Sequence, residues 1–315
     1  MRRRTTRWRT VLATVVMALS MVPVGLATTG CAEGKPARQH VAIPAYWSPE
    51  VEAGAEMFRR LARAAPAVQV VVVNGADNGP QLPFNEAWAS TFRLLRAAGV
   101  RALGYVNTGY LGVEFAGAGP AHATRPDGAG HGGRTLANWR AQITRDIEDW
   151  FGLYGPAGLD GIFLDQTTAV CGPNGAYVKA YRELVAQIRR LAPEALVVLN
   201  PGRSVSDCYA GVADTLVTFE GTYRQYLNRT APAWEREGGA ERFWHLVYDV
   251  PDEPGMARVV ALSKERNAGY VYVTDDQLSD DGREHPWDTI PPDGYWRAEL
   301  AAAYGPGQAP PTPDP

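Results

Sequence analysis

The sequence predicts a single (β/α)8 barrel of the TIM type over residues 41–304. Short runs rich in β-branched and aromatic residues recur eight times along this stretch, and segments with helical spacing separate them. Most of these runs are almost continuously apolar, as expected for parallel strands that are covered on both faces. No glycine-rich dinucleotide turn follows the first run, which favours a closed barrel over an open doubly wound sheet.

The predicted strands and helices alternate along the chain. The strands cover residues 41–47, 68–75, 101–108, 161–167, 195–202, 215–223, 242–250 and 269–276. Predicted helices cover residues 50–65, 85–98, 224–236 and 255–267, and the clearest helical spacing lies at 139–151 and 177–191. Residues 207–213 leave room for only a turn or a short helix between the fifth and sixth strands.

Three segments fall outside the strand and helix pattern. Residues 32–40 are a short linker before the barrel, and residues 305–315 are a proline-rich tail that we expect to be disordered. Residues 112–134 form a long loop rich in glycine, alanine and proline after the third strand. That loop would lie on the catalytic face, where it is either a lid or a disordered insertion without function.

The amino-terminal residues 1–31 have the pattern of an export signal. An arginine-rich start leads into an apolar stretch from Val11 to Leu26, which is too short and too early to be a permanent membrane span. Cys31 follows small residues, as at a bacterial lipoprotein cleavage site, although ordinary signal cleavage nearby is the alternative. We therefore expect a secreted protein, or one attached to the outer face of the cell membrane by a lipid on Cys31.

The composition narrows the classes of function. Hydrophobic residues make up 45% of the chain and the formal net charge is −3, which suits a large core and does not suit nucleic-acid binding. We expect a monomer, although the sequence leaves the oligomeric state open. The histidines are scattered singly, so neither a metal nor another cofactor is expected. Cys171 and Cys208 each follow a predicted strand and could form a disulfide in an oxidising compartment; the alternative is two separate thiols.

Two carboxylates close predicted strands of this barrel. Asp165 ends the apolar run 161–165, and Glu220 ends the run 216–220. Chemistry in such barrels occurs at the carboxyl ends of the strands. Strict alternation along each strand turns Asp165 and Glu220 inward and places Gln166 on the opposite face from Asp165. Two inward carboxylates suit glycoside hydrolysis, with Asp165 as nucleophile and Glu220 as acid and base, although such residues also form structural ion pairs.

Aromatic and amide groups that suit a sugar are concentrated at the same predicted end of the barrel. Aromatic rings stack on sugar faces, and amides and carboxylates bond to sugar hydroxyls. A single aromatic residue in a barrel is more often part of the core. The prediction of sugar binding therefore depends on several such residues lying at one end of the barrel. The candidate substrate-binding residues are Tyr46, Asn74, Tyr105, Asn107, Tyr110, Gln166, Asn200, Tyr223, Tyr248 and Asp275.

Short motifs through nearly the whole barrel resemble one known family. They are Ile43-Pro44-Ala45-Tyr46, Gly104-Tyr105-Val106-Asn107-Thr108, Asp160-Gly161-Ile162-Phe163-Leu164-Asp165, Asn200-Pro201-Gly202, Phe219-Glu220 and Thr274-Asp275-Asp276. In their order and spacing the chain resembles the spherulin-4 family of glycoside hydrolases. The resemblance implies a (β/α)8 barrel that hydrolyses α-1,4-linked N-acetylgalactosamine within galactosamine-containing exopolysaccharides.

The resemblance also implies an acidic pair after the fourth strand and a glutamate after the sixth. Asp165 matches the first acid of the pair and Glu220 matches the later glutamate, but Gln166 stands where the second acid is expected. An amide bonds to a hydroxyl but does not exchange a proton at useful pH. Two alternatives to the predicted polysaccharide hydrolase therefore stay open: a noncatalytic carbohydrate-binding barrel, and a barrel hydrolase that acts on a different glycan.

Overall fold

The computed structural model describes residues 38–113, 123–126, 132–279 and 285–305. The predicted export signal, Cys31 and the tail from residue 306 onward lie outside these residues, as does most of the loop at 112–134. Within the described ranges, no helix has both the length and the apolar character needed to cross a membrane.

Eight parallel strands form a closed barrel, which confirms the predicted fold class. Each strand pairs with the next along the chain, and the last pairs with the first. Their bounds are β1 His40–Ala45, β2 Val68–Val73, β3 Arg101–Asn107, β4 Leu159–Asp165, β5 Leu196–Leu199, β6 Thr215–Thr222, β7 Phe243–Tyr248 and β8 Tyr270–Val273.

Helices cover the outside of this barrel. Their bounds are α1 Glu52–Arg63, α2 Glu86–Ala97, α3 Leu136–Tyr154, α4 Ala176–Leu191, α5 Tyr223–Leu227, α6 Ala233–Glu237, α7 Glu253–Glu265 and α8 Asp293–Tyr304. Between β5 and β6 there is only a short 3-10 turn, Asp207–Tyr209, in the region where the sequence leaves room for little more.

Two helices differ from the prediction. The single helix expected at 224–236 is divided into α5 and α6, because Pro232 lacks an N–H for a continuous helix and instead precedes the first residue of α6. Helix α8 was not predicted from the sequence at all. It buries Tyr295, Trp296 and Leu300 and packs beside α7 and β1.

Helix α3 supports the strand that carries Tyr105. The indole N–H of Trp150 donates to the main-chain oxygen of Tyr105 at 2.8 Å. This close approach needs glycine at position 104, where a Cβ atom would lie 2.6 Å from the Trp150 ring. Inside the barrel, Phe163 packs against Trp244 with ring centroids 5.6 Å apart. Phe163 and Trp244 are both buried and fill the barrel below the strand ends.

Strand β6 contains one extra residue relative to β7. Val217 pairs with Trp244, but Phe219 pairs with His245, so Thr218 has no counterpart in the pairing. Such a bulge resets the alternation of side chains along a strand. The strict alternation assumed for residues 217–220 is therefore wrong, although Glu220 still reaches the interior of the barrel mouth.

Cys171 and Cys208 are joined by a disulfide. It connects the segment between β4 and α4 to the turn between β5 and β6. The bond thus links the two connections that follow β4 and β5, next to the end of the barrel where both strands terminate.

Candidate active site

The carboxyl ends of β4, β5 and β6 bring Asp165, Asn200 and Glu220 together. Asp165 is the last residue of β4, and its main-chain oxygen accepts the Thr108 N–H at 2.9 Å and the Thr108 hydroxyl at 2.8 Å. Thr108 is itself buried. The backbone of Asp165 is therefore held by the neighbouring strand end, as precise catalytic geometry requires.

Asn200 lies between the two carboxylates. Its Nδ2 donates to Asp165 Oδ1 at 2.6 Å and to Glu220 Oε2 at 2.7 Å. Its Oδ1 accepts the backbone N–H of Gly202 at 2.9 Å, which determines the orientation of the amide group. Because both bonds share one nitrogen, the two carboxylate oxygens are at most about 5.3 Å apart, the sum of the bond lengths.

Tyr105 and Trp287 complete the set of donors. The Tyr105 hydroxyl donates to Asp165 Oδ2 at 2.6 Å, and the Trp287 indole N–H donates to Glu220 Oε1 at 3.3 Å. Burial and the charge of Asp165 hold the pKa of Tyr105 well above its usual value, so this phenol remains a donor. The Trp287 main-chain oxygen accepts the Tyr46 N–H at 2.9 Å, which joins the loop after β8 to the end of β1.

The surroundings of the two carboxylates raise the pKa of each. Burial at the bottom of the cleft and the neighbouring charge of Asp165 raise the pKa of Glu220 to about 7. Burial also raises the pKa of Asp165, but hydrogen bonds from Tyr105, the Gln166 backbone and Asn200 oppose that rise. Because the two groups interact, their titrations belong to the pair. The arrangement favours a proton on Glu220 and a charge on Asp165.

A cleft opens above the carboxylates and extends to both sides of them. One cavity of about 330 Å³ runs toward Tyr110, Arg203, Tyr248 and Leu278. A second cavity of about 350 Å³ runs toward Tyr46, Asn74, Asn78 and Asp288. Both are lined by Asp165, Gln166, Glu220, His285 and Trp287. The carboxylates thus lie where the two halves of the cleft meet.

Most of the predicted substrate-binding residues lie in this cleft. Tyr46, Asn74, Tyr105, Tyr110, Gln166, Asn200 and Tyr248 line one cavity or both. Three others lie outside both cavities. The Asn107 side chain accepts the backbone N–H of Gly109 at 2.8 Å and caps a turn, Tyr223 begins α5, and Asp275 follows β8.

Gln166 lies in the cleft although strand alternation placed it on the opposite face from Asp165. Strand β4 ends at Asp165, and Gln166 adopts a left-handed backbone with φ of 51°. Its main-chain oxygen accepts the N–H of Tyr110, another residue with positive φ, at 2.7 Å. Alternation applies only to extended backbone, so the inference about its face was wrong. The side-chain Oε1 of Gln166 is buried and has no hydrogen-bond partner among the described residues.

Sequence reasoning missed the contribution of the loop between β8 and α8. Leu278, His285, Trp287 and Asp288 line the cleft from this connection, and Asn78 and Arg203 line it from other loops. The His285 Nδ1 accepts the Trp287 backbone N–H at 3.3 Å. These loops lack periodicity, and the only available signal was their position after a predicted strand end.

The described residues contain no group of three or more His, Cys, Asp or Glu side chains placed to hold a metal ion. The side chains that the strand ends and the loop after β8 bring together are two carboxylates, the amide that joins them, and phenol and indole donors. This set can transfer a proton and supply a carboxylate nucleophile to a bound substrate.

Several solved structures have a fold similar to that of this chain. Aspergillus clavatus Sph3, in complex with GalNAc, aligns with a TM-score of 0.61 and 22% identity over 84% of this chain and 98% of that one. The cyclic α-maltosyl-(1→6)-maltose hydrolase of Arthrobacter globiformis aligns at 0.52, with 13% identity over 85% and 84% of the two chains. The catalytic domain of the major endoglucanase of Xanthomonas campestris pv. campestris aligns at 0.50, with 13% identity over 84% and 94%.

No curated protein sequence matches the chain. The model of spherulation-specific family 4 matches residues 40–303, which includes every strand and almost all of α8. The resemblance seen in the sequence motifs is thereby confirmed, and the chain belongs to spherulation-specific family 4.

Proposed function

We propose that the protein is a glycoside hydrolase in which Asp165 is the nucleophile and Glu220 is the acid and base. The observation that carries this proposal is the pair of carboxylates joined by Asn200 at the junction of a two-sided cleft. Two carboxyl groups beside a glycosidic bond are sufficient for its hydrolysis. No cofactor is required by this chemistry.

The different surroundings of the two groups support the assignment of roles. The raised pKa of Glu220, about 7, keeps a proton available near neutral pH. Asp165 accepts short bonds from Tyr105 and Asn200, and these stabilise its ionised form. In the first step an Asp165 oxygen bonds to the anomeric carbon, while the glycosidic oxygen leaves with the proton of Glu220.

The spacing of the carboxylates favours retention of configuration. Retaining enzymes have carboxyl groups about 5 to 5.5 Å apart, and inverting enzymes need about 6.5 to 9.5 Å. The two oxygens bonded to the Asn200 nitrogen are at most about 5.3 Å apart, which agrees with the separation for retention and is short of the separation for inversion. Burial and the charge of Asp165 both raise the pKa of Glu220, and the covalent bond neutralises Asp165 and removes the second of these causes. Glu220 then acts as the base that takes a proton from water.

The form of the cleft supports cleavage within a chain. Cavities of similar size extend from both sides of the carboxylates, so sugar units can occupy the cleft before and after the cleaved bond. Tyr46 on one side and Tyr110 and Tyr248 on the other provide aromatic surface for them. We infer an endo-acting enzyme for this reason.

Family membership and the Sph3 complex with GalNAc support a galactosamine-containing exopolysaccharide as substrate. The export pattern of residues 1–31 and the disulfide support action outside the cytoplasm. Secretion as a monomer, or attachment to the outer face of the membrane through lipidated Cys31, belongs to this proposal.

The test is incubation of the purified mature protein with N-acetylgalactosamine oligosaccharides linked α-1,4 and with partly acetylated galactosamine polymers. New reducing ends and shorter internal fragments are expected, and NMR of the first product formed should show the α anomer. The Asp165→Asn variant is the control. Products of the opposite anomer would contradict the retaining mechanism. If only other glycans in a polysaccharide panel are cleaved, the proposed galactosamine-containing substrate is wrong.

Gln166 gives one reason to keep a second candidate, a noncatalytic carbohydrate-binding barrel. A buried amide stands in the cleft where the family resemblance implies an acid. Binding of galactosamine polymers without any new reducing ends would favour that candidate over the hydrolase.

A further inference from the structure

We propose that Asn200 is a positioning residue that sets the distance between Asp165 and Glu220 and tunes the ionisation of both. This inference rests on the proposed hydrolase function for its kinetic consequences but not for its structural ones. It gives Asn200 a role beyond the sugar binding that its position at a strand end suggests.

The geometry allows the Asn200 amide one arrangement. Its Oδ1 accepts the backbone N–H of Gly202, which places Nδ2 on the side of the two carboxylates. One hydrogen is directed to Asp165 and the other to Glu220, at 2.6 Å and 2.7 Å. With both hydrogens so used and the residue buried, the amide has little capacity left for a sugar hydroxyl.

An amide is well suited to this place between two acids. It donates two hydrogen bonds and so stabilises negative charge on the acids. It does not take up or release a proton, so it does not compete for the proton that Glu220 transfers. Both bonds act to lower the pKa of the carboxyl group that accepts them. A lysine or arginine there would add a full charge and hold both acids ionised, which would remove the catalytic proton.

The loop at Gly202 connects Asn200 directly to Glu220. The backbone N–H of Glu220 donates to the Gly202 oxygen at 3.0 Å, and Gly202 has a positive φ of 65°. The same turn that orients the Asn200 amide is thus bonded to the backbone of the acid. A shift of Asn200 would therefore move both the side chain and the main chain of the pair.

The experiment compares Asn200→Ala and Asn200→Asp with the wild-type protein on N-acetylgalactosamine oligosaccharides linked α-1,4. For Asn200→Ala we expect kcat to fall about 100-fold with little change in KM, as for a small displacement of reacting groups. Both limbs of the pH profile of kcat should move upward by about one pH unit, since both carboxyl groups lose a bond that favours ionisation. Asn200→Asp should shift the limbs further, because it adds a third negative charge.

A second measurement does not need turnover. Carbon-13 NMR titration of the Asp165 and Glu220 carboxyl groups should show both apparent pKa values raised in Asn200→Ala. Unchanged titrations, or an increase in KM with an unchanged pH profile of kcat, would overturn the inference and return Asn200 to sugar binding. If the wild-type protein cleaves nothing but the titrations shift, the hydrolase proposal fails and this inference stands.

The matched control is Asn85→Ala. Asn85 Oδ1 accepts the backbone N–H of Ala87 at 2.9 Å, two residues along the chain, as Asn200 does with Gly202. Asn85 precedes α2 and lies outside both cavities. Its replacement should lower the Tm and leave the carboxyl titrations unchanged, which separates the loss of a turn bond from the loss of contact with the acids.

Discussion

Glu235 is buried in the protein and Glu220 lies partly buried at the bottom of the cleft, and the two have neighbours of different charge. Glu235 forms an ion pair with Arg229, and the two side chains are only 1% and 6% exposed. Glu220 accepts bonds from the neutral Asn200 amide and the Trp287 indole and lies near a second carboxylate. Glu235 therefore has an opposite charge beside it, whereas burial and the like charge of Asp165 favour the protonated form of Glu220.

A raised pKa alone does not identify the candidate acid. Glu299 is fully buried, and burial raises its pKa well above the usual value, yet it accepts the Val273 N–H beneath α8 and lines neither cavity of the cleft. Burial raises the pKa of Asp146 to about 6 despite its pairing with Arg125. Access to a cleft and a nearby second carboxylate distinguish Glu220 from these groups.

The largest expected effect comes from neutral isosteres of the carboxylates in the cleft. Asp165→Asn and Glu220→Gln should each lower kcat by about 10⁴-fold or more, because one removes the nucleophile and the other removes the transferable proton. Release of reducing ends from a galactosamine polymer measures the effect. Near wild-type turnover in either variant would remove that residue from the mechanism.

The same chemical change at Glu235 should act on stability instead. Glu235→Gln leaves Arg229 without its buried partner and should lower the free energy of unfolding by about 3 to 5 kcal/mol. Urea denaturation measures this loss, and kcat of the remaining folded protein should stay within about twofold of wild type. A Glu235→Gln variant that is as stable as wild type but has lost turnover would contradict the assignment of Glu235 to stability alone.

The pH dependence follows from the states that the two cleft carboxylates need. Glu220 must be protonated, and its pKa is raised to about 7, so kcat/KM should be high below that pH and fall about tenfold per unit above it. Asp165 must be ionised, so activity should also fall on the acidic side. An aryl glycoside with a good leaving group provides the check, since its hydrolysis should lose most of the basic limb. An identical basic limb for both substrates would argue against Glu220 as the acid.

The smallest expected effect concerns Gln166. Gln166→Ala should reduce kcat/KM by less than about tenfold, because it removes hydrogen bonds to the substrate but no proton-transfer group. Steady-state kinetics on the same oligosaccharide measures it, with Asp165→Asn as the reference for a catalytic loss. A loss as large as that of Asp165→Asn would show that the amide takes part in the chemistry.

The strand pattern was sufficient to predict the barrel and the position of both carboxylates. Asp165 and Glu220 end apolar runs, and parallel strands of a barrel all end on one side. The extra residue at Thr218 and the left-handed backbone of Gln166 depend on tertiary packing, so alternation could not reveal them. For the same reason the sequence indicated Asn200 as a cleft residue but not as the bridge between two acids. Trp287 lies in a loop without periodicity, which gave no sign of its bond to Glu220.

The bond between the Tyr46 N–H and the Trp287 oxygen joins the first strand end to the last loop of the barrel. A nascent chain that has not yet emerged beyond β8 already contains Asp165, Asn200 and Glu220, but it lacks the indole above Glu220 and the wall formed by His285 and Asp288. The cleft is thus completed by the connection between β8 and α8, and a polypeptide truncated before that connection lacks one wall of the cleft.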